Sequence, residues 1–238
     1  MKKLLAMLLA LILVLSMSLL AGCGDYDETP SGSKTSKSSP DDEDVDDLSA
    51  EELFDGDFEA TVDHSSAFTE VLSAFSKYID DFEFKLTAKY SFNNGKYSSE
   101  IDKSSVKKAI ASLSGVLVDA FERYLEDALS GSGISPDDYI KNYTEYSSTE
   151  ELVEDMMEKA AERLTRKEEG TYTISGNKIT FESEIDDVDV RMIAEFEAKS
   201  RSEILITDIK YEGDDYPEEL EDYIFAVKKS LPWTLVKK

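Results

Sequence analysis

Few residues of this chain are able to carry out nucleophilic or acid–base chemistry. The chain has one cysteine, Cys23, and one histidine, His64. A Ser-His-Asp or Cys-His mechanism would therefore have to use His64. This histidine lies at the edge of an acidic stretch, directly before Ser65 and Ser66, and we expect it to have an ordinary role near a helix cap. A single cysteine also excludes an internal disulfide framework and a cysteine-rich zinc site.

Acidic residues are the other group that could do chemistry. The chain has 52 Asp and Glu against 26 Lys and Arg, a net charge of −26. Two clusters, Asp186-Asp187-Asp189 and Gly213-Asp214-Asp215, could bind calcium or supply paired carboxylates for glycan hydrolysis. Neither has the ligand pattern of an EF-hand loop, and so many acids form clusters by chance. We therefore expect solvated turns there, with no metal site and no cofactor. The negative charge argues against nucleic-acid binding.

The first 23 residues have the layout of a secretory signal. A short basic start is followed by an apolar middle and a small-residue exit, which are Lys2 and Lys3, Leu4 to Leu20, and Leu20-Ala21-Gly22-Cys23. With Cys23 directly after Ala21 and Gly22, the segment resembles the lipobox of bacterial lipoproteins. The resemblance implies a diacylglyceryl group on the Cys23 thiol, cleavage before Cys23 and a lipid anchor on the extracytoplasmic side of the cell membrane.

Three other interpretations of the same segment stay open. Leu4 to Leu20 could remain as an uncleaved membrane helix, because it reaches the lower edge of spanning length. It could be an ordinary secretory signal that is cleaved near Ala21. Cys23 could also be a free thiol. The position of the chain's one cysteine at the place where a lipobox requires it favours the lipoprotein interpretation.

The residues after Cys23 are typical of a disordered tether. The range 29–40 contains only Ser, Thr, Pro, Gly and Lys, and 41–59 is rich in acids. Neither has enough apolar residues to offset the entropy lost on ordering. A weak helix near Leu48 to Phe54 is possible, because Ser49 with Glu51 and Glu52 resembles a helix start. We therefore divide the chain into a cleaved signal peptide (1–22), a lipidated acidic tether (23–59) and one globular domain (60–238).

The globular part contains both helical and strand patterns. Helices are predicted after Ser65, from about Lys103 to Leu129, after Ser135-Pro136, after Ser148, and from Pro217. Alternating residues predict strands at 82–92, 171–175, 178–184, 188–199 and 202–211, with an edge strand at 231–236. Asn94-Gly95 predicts a hairpin turn. Short connections favour an α+β fold, an antiparallel β-meander of about five or six strands covered on one face by amphipathic helices.

One hairpin carries a second, weaker resemblance. The segment 170–181 reads GTYTISGNKITF and is similar to the hairpins of small lipocalin-like bacterial lipoproteins. Such a family would imply a closed barrel with an internal ligand, which the large helical half does not favour. The aromatic residues Tyr172, Phe181 and Phe196 could line a pocket, but packing against the helices is the favoured interpretation.

These observations lead to two hypotheses about function. The first is a membrane-anchored, non-enzymatic lipoprotein that binds a small ligand or an envelope partner through its sheet or a helix–sheet crevice. Because the domain is acidic, a cationic protein or peptide would be the favoured partner. The alternative is an envelope glycan hydrolase that uses paired carboxylates.

Overall fold

The computed structural model describes residues 49–72, 75–185, 188–212 and 228–238. These ranges contain five helices, which are α1 (Ala50–Phe54), α2 (Ser65–Val71), α3 (Lys103–Ala128), α4 (Pro136–Tyr143) and α5 (Thr149–Leu164). They also contain eight strands, which are β1 (Gly56–Asp63), β2 (Lys85–Asn93), β3 (Lys96–Ile101), β4 (Glu168–Ser175), β5 (Lys178–Ile185), β6 (Val188–Ser200), β7 (Glu203–Glu212) and β8 (Trp233–Lys237).

The eight described strands form a closed antiparallel barrel in which each strand pairs with its neighbours in sequence. The barrel closes where β1 pairs with β8, with Phe58 opposite Lys237 and Glu59 opposite Val236. The prediction of an open sheet of five or six strands covered by helices on one face is therefore wrong. Closure lets the inward faces of the strands bury one another, so the core of the sheet does not depend on a helical layer.

Strands β1 and β3 are the two that the predicted fold lacks. The barrel begins at Gly56, inside the stretch 23–59 that we expected to be a tether. In β1 the acidic side chains of Asp57 and Glu59 alternate with the buried Phe58 and Ala60. This stretch therefore forms a strand although its acidic composition is typical of a disordered segment. Helix α1 precedes it and confirms the predicted helix start, because Ser49 and Glu52 form a capping box.

The two ends of the barrel are built differently. One end holds α1 and the tight turns at 94–95 and 176–177, which connect consecutive strands. Asn94 and Gly95 have the positive φ angles (49° and 75°) that the predicted hairpin requires. Phe54 of α1 is fully buried at this end, and its ring meets those of Phe92 and Phe196 at centroid distances of 5.5 and 4.8 Å. We call this the hairpin end.

The opposite end carries the long connections and is here called the helical end. Helices α3, α4 and α5 all lie between β3 and β4, which are neighbours in the barrel wall. Asp102, Ser135 and Ser148 cap these three helices, which confirms the predicted helices in this region. Helix α3 packs against β2 and α5. The predicted helix from Pro217 falls outside the described residues.

Candidate functional site

Most of the residues that the sequence singled out lie outside the described part of the chain. These are Leu20, Ala21, Gly22 and Cys23 of the predicted lipobox, and the residues at 186–187 and 213–215 of the two acidic clusters. Asp189 is described, and its side chain is exposed on β6. Among the described residues, no three His, Cys, Asp or Glu side chains are close enough together to hold a metal ion. In the same ranges, no helix has the length and apolarity needed to cross a membrane.

His64 is a buried residue at the helical end. It is 7% exposed, and its ring lies 6.4 Å from the ring of Trp233. Burial lowers the pKa of His64 to about 4, although Asp63 opposes the shift, so the imidazole is neutral at neutral pH. The neighbouring Ser65 hydroxyl donates to Asp63 Oδ1 at 2.6 Å and accepts from the Phe84 N–H at 2.8 Å. That hydroxyl therefore joins the end of β1 and the start of α2 to the residue that precedes β2, as expected of a cap region.

The inward positions of the barrel are mostly apolar, with polar groups gathered on adjacent strands. On β2, β3 and β4, Tyr90 pairs with Ser99, and Ser99 pairs with Glu168. In the next row, Tyr97 pairs with Gly170, and Gly170 pairs with Ser183 of β5. We call the five side chains that these rows present to the interior the interior polar cluster, which consists of Tyr90, Tyr97, Ser99, Glu168 and Ser183. Among the described strands, Glu168 is the one acidic residue at an inward position.

The environment of Glu168 alters its acidity. The Ser99 hydroxyl, in a residue only 1% exposed, donates to Glu168 Oε2 at 3.5 Å, which is a long hydrogen bond. Burial raises the pKa of Glu168 to about 7, and the Ser99 contact lowers it only in part. Burial also raises the pKa of Tyr90, with the Glu168 carboxylate adding to the effect. Glu168 therefore changes its charge close to neutral pH.

The Tyr97 hydroxyl is a buried polar group without a partner. Tyr97 is 3% exposed, and its hydroxyl makes no hydrogen bond. Ser183 lies close enough to lower the pKa of Tyr97, but the two hydroxyls do not reach hydrogen-bonding geometry. Burial is the larger effect and raises that pKa to about 12. A buried polar group left unsatisfied costs roughly 1–3 kcal/mol, so this hydroxyl calls for an explanation.

Gly170 makes room for the Tyr97 ring. A Cβ atom at Gly170 would lie 2.7 Å from Tyr97 Cε1 and 2.2 Å from the Glu182 carbonyl oxygen. Any other residue would therefore push the Tyr97 ring away from its position across the barrel. On strands β2 to β5, Gly170 is the one position where the approach of a neighbouring ring and carbonyl group requires glycine.

A small apolar cavity adjoins the interior polar cluster. Its volume is about 20 Å³, and its lining includes Tyr90, Phe92, Phe181, Met192 and Trp233. A water molecule needs roughly 10–15 Å³ measured in this way, so the cavity has the size of one water. Tyr90 is shared between the cavity and the cluster, and the rest of the cavity lining is apolar.

The sequence did not identify the interior polar cluster. Tyr90 was predicted to lie on the apolar face of its strand, while Tyr97 and Ser99 belong to a strand that was missed. Glu168 follows α5 by four residues and has no distinctive neighbours in sequence. A usable signal was the alternation of Glu168, Gly170, Tyr172 and Ile174, which places the glutamate on the inward face.

The three aromatic residues for which a pocket lining was the less favoured interpretation lie inside the barrel. Tyr172, Phe181 and Phe196 are 7%, 6% and 6% exposed. Phe181 lines the cavity, and its ring contacts that of Tyr97 at a centroid distance of 5.0 Å. The rings of Tyr172 and Phe181 contact rings on other strands, so the expectation that they pack against the helices is wrong for these two. The Phe196 ring does contact a helix, because it meets Phe54 of α1 at a centroid distance of 4.8 Å. No protein-family model, no curated protein and no solved structure matches this chain.

Proposed function

We propose that the chain is a lipid-anchored, extracytoplasmic and non-enzymatic lipoprotein whose barrel binds a small ligand in its interior. The observation that carries the ligand-binding part is the unpartnered Tyr97 hydroxyl, buried beside Glu168 in a barrel whose interior is mostly apolar. Ligand sites have this character, being largely apolar with a few placed polar groups. Eight-stranded barrels are just wide enough to be filled by side chains or to hold one small molecule.

The chemistry of the site favours a ligand with one polar head and a short apolar body. The Tyr97 hydroxyl can donate or accept a hydrogen bond, whereas the ionised Glu168 carboxylate only accepts. A hydroxyl or ammonium group satisfies both, but a carboxylate would be repelled by Glu168 above its pKa of about 7. The apolar body would lie toward Phe181 and Met192.

The size of the cavity sets a further condition on binding. A volume of about 20 Å³ is too small for a molecule larger than water, so an organic ligand must displace side chains of the lining. Met192 is the most adaptable of them, because its unbranched thioether chain has several rotatable bonds. Short ligands should therefore bind better than long ones.

The single tryptophan provides a direct test. Trp233 is the chain's one tryptophan and lines the cavity, so its fluorescence reports on the interior of the barrel. The full chain in phosphatidylcholine vesicles would be titrated with 1-butylamine, 1-butanol and butyrate at about pH 8, above the Glu168 pKa. We expect the amine and the alcohol to change the emission of Trp233, and butyrate to have little effect.

Substitution of the tyrosine separates head-group recognition from apolar partitioning. Tyr97→Phe should weaken binding of 1-butylamine about tenfold, the equivalent of one hydrogen bond. Tyr143→Phe is the matched control, because Tyr143 is 60% exposed and lies on α4, outside the barrel wall. Equal responses to all three head groups, or equal affinity in Tyr97→Phe and the native chain, would overturn the proposed ligand site.

The anchor has its own test, independent of the barrel. Cys23→Ala should abolish incorporation of a labelled fatty acid and leave a longer precursor, which can remain on the membrane through its apolar segment. Ser18→Ala, in the same segment, should be labelled normally. Labelling of the Cys23→Ala chain at the native level would exclude the lipoprotein assignment.

A further inference from the structure

The surface between α3 and α5 is a groove with an apolar floor and charged edges. It encloses about 530 Å³, and its floor is formed by Val106 and Ile110 of α3 with Met157 and Ala161 of α5. Met157 and Val106 are each 2% exposed, and Ile110 and Ala161 are partly buried. Among the described residues, the apolar surface that the groove leaves open to solvent is therefore contributed by Ile110, Ala111 and Ala161.

The two edges of the groove carry opposite charges. Glu154, Glu158 and Glu162 recur every four residues along α5 and are exposed. On an α-helix this spacing places the three carboxylates in a row about 12 Å long. Lys103 and Lys107 occupy the facing edge on α3. Within the described ranges, none of these five side chains forms an ion pair.

We propose that this groove binds a cationic amphipathic helix of a partner protein. An amphipathic helix laid in a groove buries its apolar stripe and leaves its charged flanks at the edges. Lysine or arginine side chains at every fourth position along one flank would match the glutamate row in both charge and spacing. The net charge of −26 would also speed the approach of a cationic partner. This interaction is independent of the ligand site inside the barrel.

A designed peptide is the appropriate probe, because the proposal defines the partner only by its chemistry, a cationic amphipathic helix. The peptide would have about 18 residues, roughly 27 Å of helix, with a leucine stripe and lysines at every fourth position beside it. A control peptide of identical composition carries its lysines on the face opposite the leucines. Each labelled peptide is mixed with vesicles of phosphatidylcholine that hold the full chain, and the bound fraction is measured by sedimentation after subtraction of empty vesicles. We expect the first peptide to bind at least tenfold more tightly than the control peptide.

Variants of the chain locate the binding to the groove. The triple substitution Glu154→Gln, Glu158→Gln and Glu162→Gln should weaken binding about tenfold. Glu→Gln substitutions at the exposed Glu126, Glu184 and Glu203, away from the groove, make the same change in charge. The affinity of this control for the peptide should stay within about twofold of the native value. Ala111→Trp, at an exposed position in the groove lining, should block the floor without altering charge and also weaken binding about tenfold.

Three results would overturn the proposal. The first is equal binding of the two peptides, and the second is equal loss in the two triple variants. The third is a cross-linked dimer of the chain that Ala111→Trp abolishes, since the occupant of the groove would then be a second copy. None of these results bears on the response of Trp233 to small ligands, so this proposal and the ligand site fail separately.

Discussion

The two sides of the barrel interior differ in polarity although they belong to one continuous sheet. The inward positions of β2 to β5 carry the interior polar cluster, including Tyr97, Ser99 and Glu168. Across the barrel, the inward positions of β6 to β8 carry mainly apolar or aromatic side chains among the described residues, such as Met192 and Ile206, with Lys237 at the end of β8 as the exception. We call these the β2–β5 wall and the β6–β8 wall.

The difference shows that the core of the barrel has two tasks. The β6–β8 wall contributes packing, and burial of its side chains supplies stability. The β2–β5 wall contains a hydroxyl without a partner and a carboxyl with a raised pKa, both of which lower stability. Groups that lower stability in a core are best explained by function, and three predictions test whether the two walls differ in this way.

The largest effect is expected on the β6–β8 wall. Ile206 is 4% exposed and lines the cavity, so Ile206→Ala should lower the free energy of unfolding by about 2–5 kcal/mol through lost burial and an enlarged cavity. Ile134→Ala, at a residue 41% exposed, should change it by less than about 0.5 kcal/mol. Urea unfolding of the full chain measures both. A loss at Ile206 no larger than that at Ile134 would mean that this wall is not a packed core.

The second effect depends on pH and belongs to the β2–β5 wall. Burial raises the pKa of Glu168 from 4.5 to about 7, so the folded state holds a proton that the unfolded state has released between these values. Stability contributed by the protonated group is complete below pH 4.5 and is lost as the pH rises through 7. Glu168→Gln should therefore be more stable than the native chain by roughly 1–3 kcal/mol at about pH 8, and equal to it at about pH 4.

This pH prediction is best measured as a difference between two chains. His64 has the opposite behaviour, because its lowered pKa of about 4 makes the folded state less stable as the pH falls from 6.5. His64 is present in both chains, and its contribution cancels in the difference. Glu184→Gln, at an exposed position, is the control and should show no such pH dependence. If the difference in free energy of unfolding between Glu168→Gln and the native chain does not change with pH, the Glu168 carboxyl has the same pKa in the folded and unfolded states.

The smallest effect is expected from Tyr97→Phe. Removal of a hydroxyl that has no hydrogen bond should raise the free energy of unfolding by up to about 1 kcal/mol. Tyr146→Phe is the matched control, because the Tyr146 hydroxyl donates to Asp155 Oδ2 at 2.5 Å and its loss should cost about 1 kcal/mol. Denaturation midpoints of the two variants should therefore move in opposite directions. A clear loss of stability in Tyr97→Phe would indicate that its hydroxyl is satisfied.

Local structure was predictable wherever a few neighbouring residues determine it. The caps at Ser135 and Ser148, the turn at Asn94 and Gly95, and the extent of α3 all follow from hydrogen bonds or backbone angles within a short segment. The alternation of β5 and β6 was predicted for the same reason. Strand β1 was missed, because charge was weighed over the alternation of Phe58 and Ala60. Strand β3 was missed because serine occupies its buried position 99.

The closed barrel and the site inside it depend on contacts between residues far apart in the chain. The pairing of Glu59 with Val236 closes the sheet, and no pattern within either strand specifies its partner. Ser99 and Glu168 are brought together by the pairing of β3 with β4, although three helices separate these two strands in the chain. The sequence by itself determined the helices, the turns and the alternation of most strands, since these rest on local backbone and burial preferences. Only the tertiary structure decided that the alternating faces enclose an interior, because strand pairing and the desolvation of Glu168 are properties of the assembled barrel.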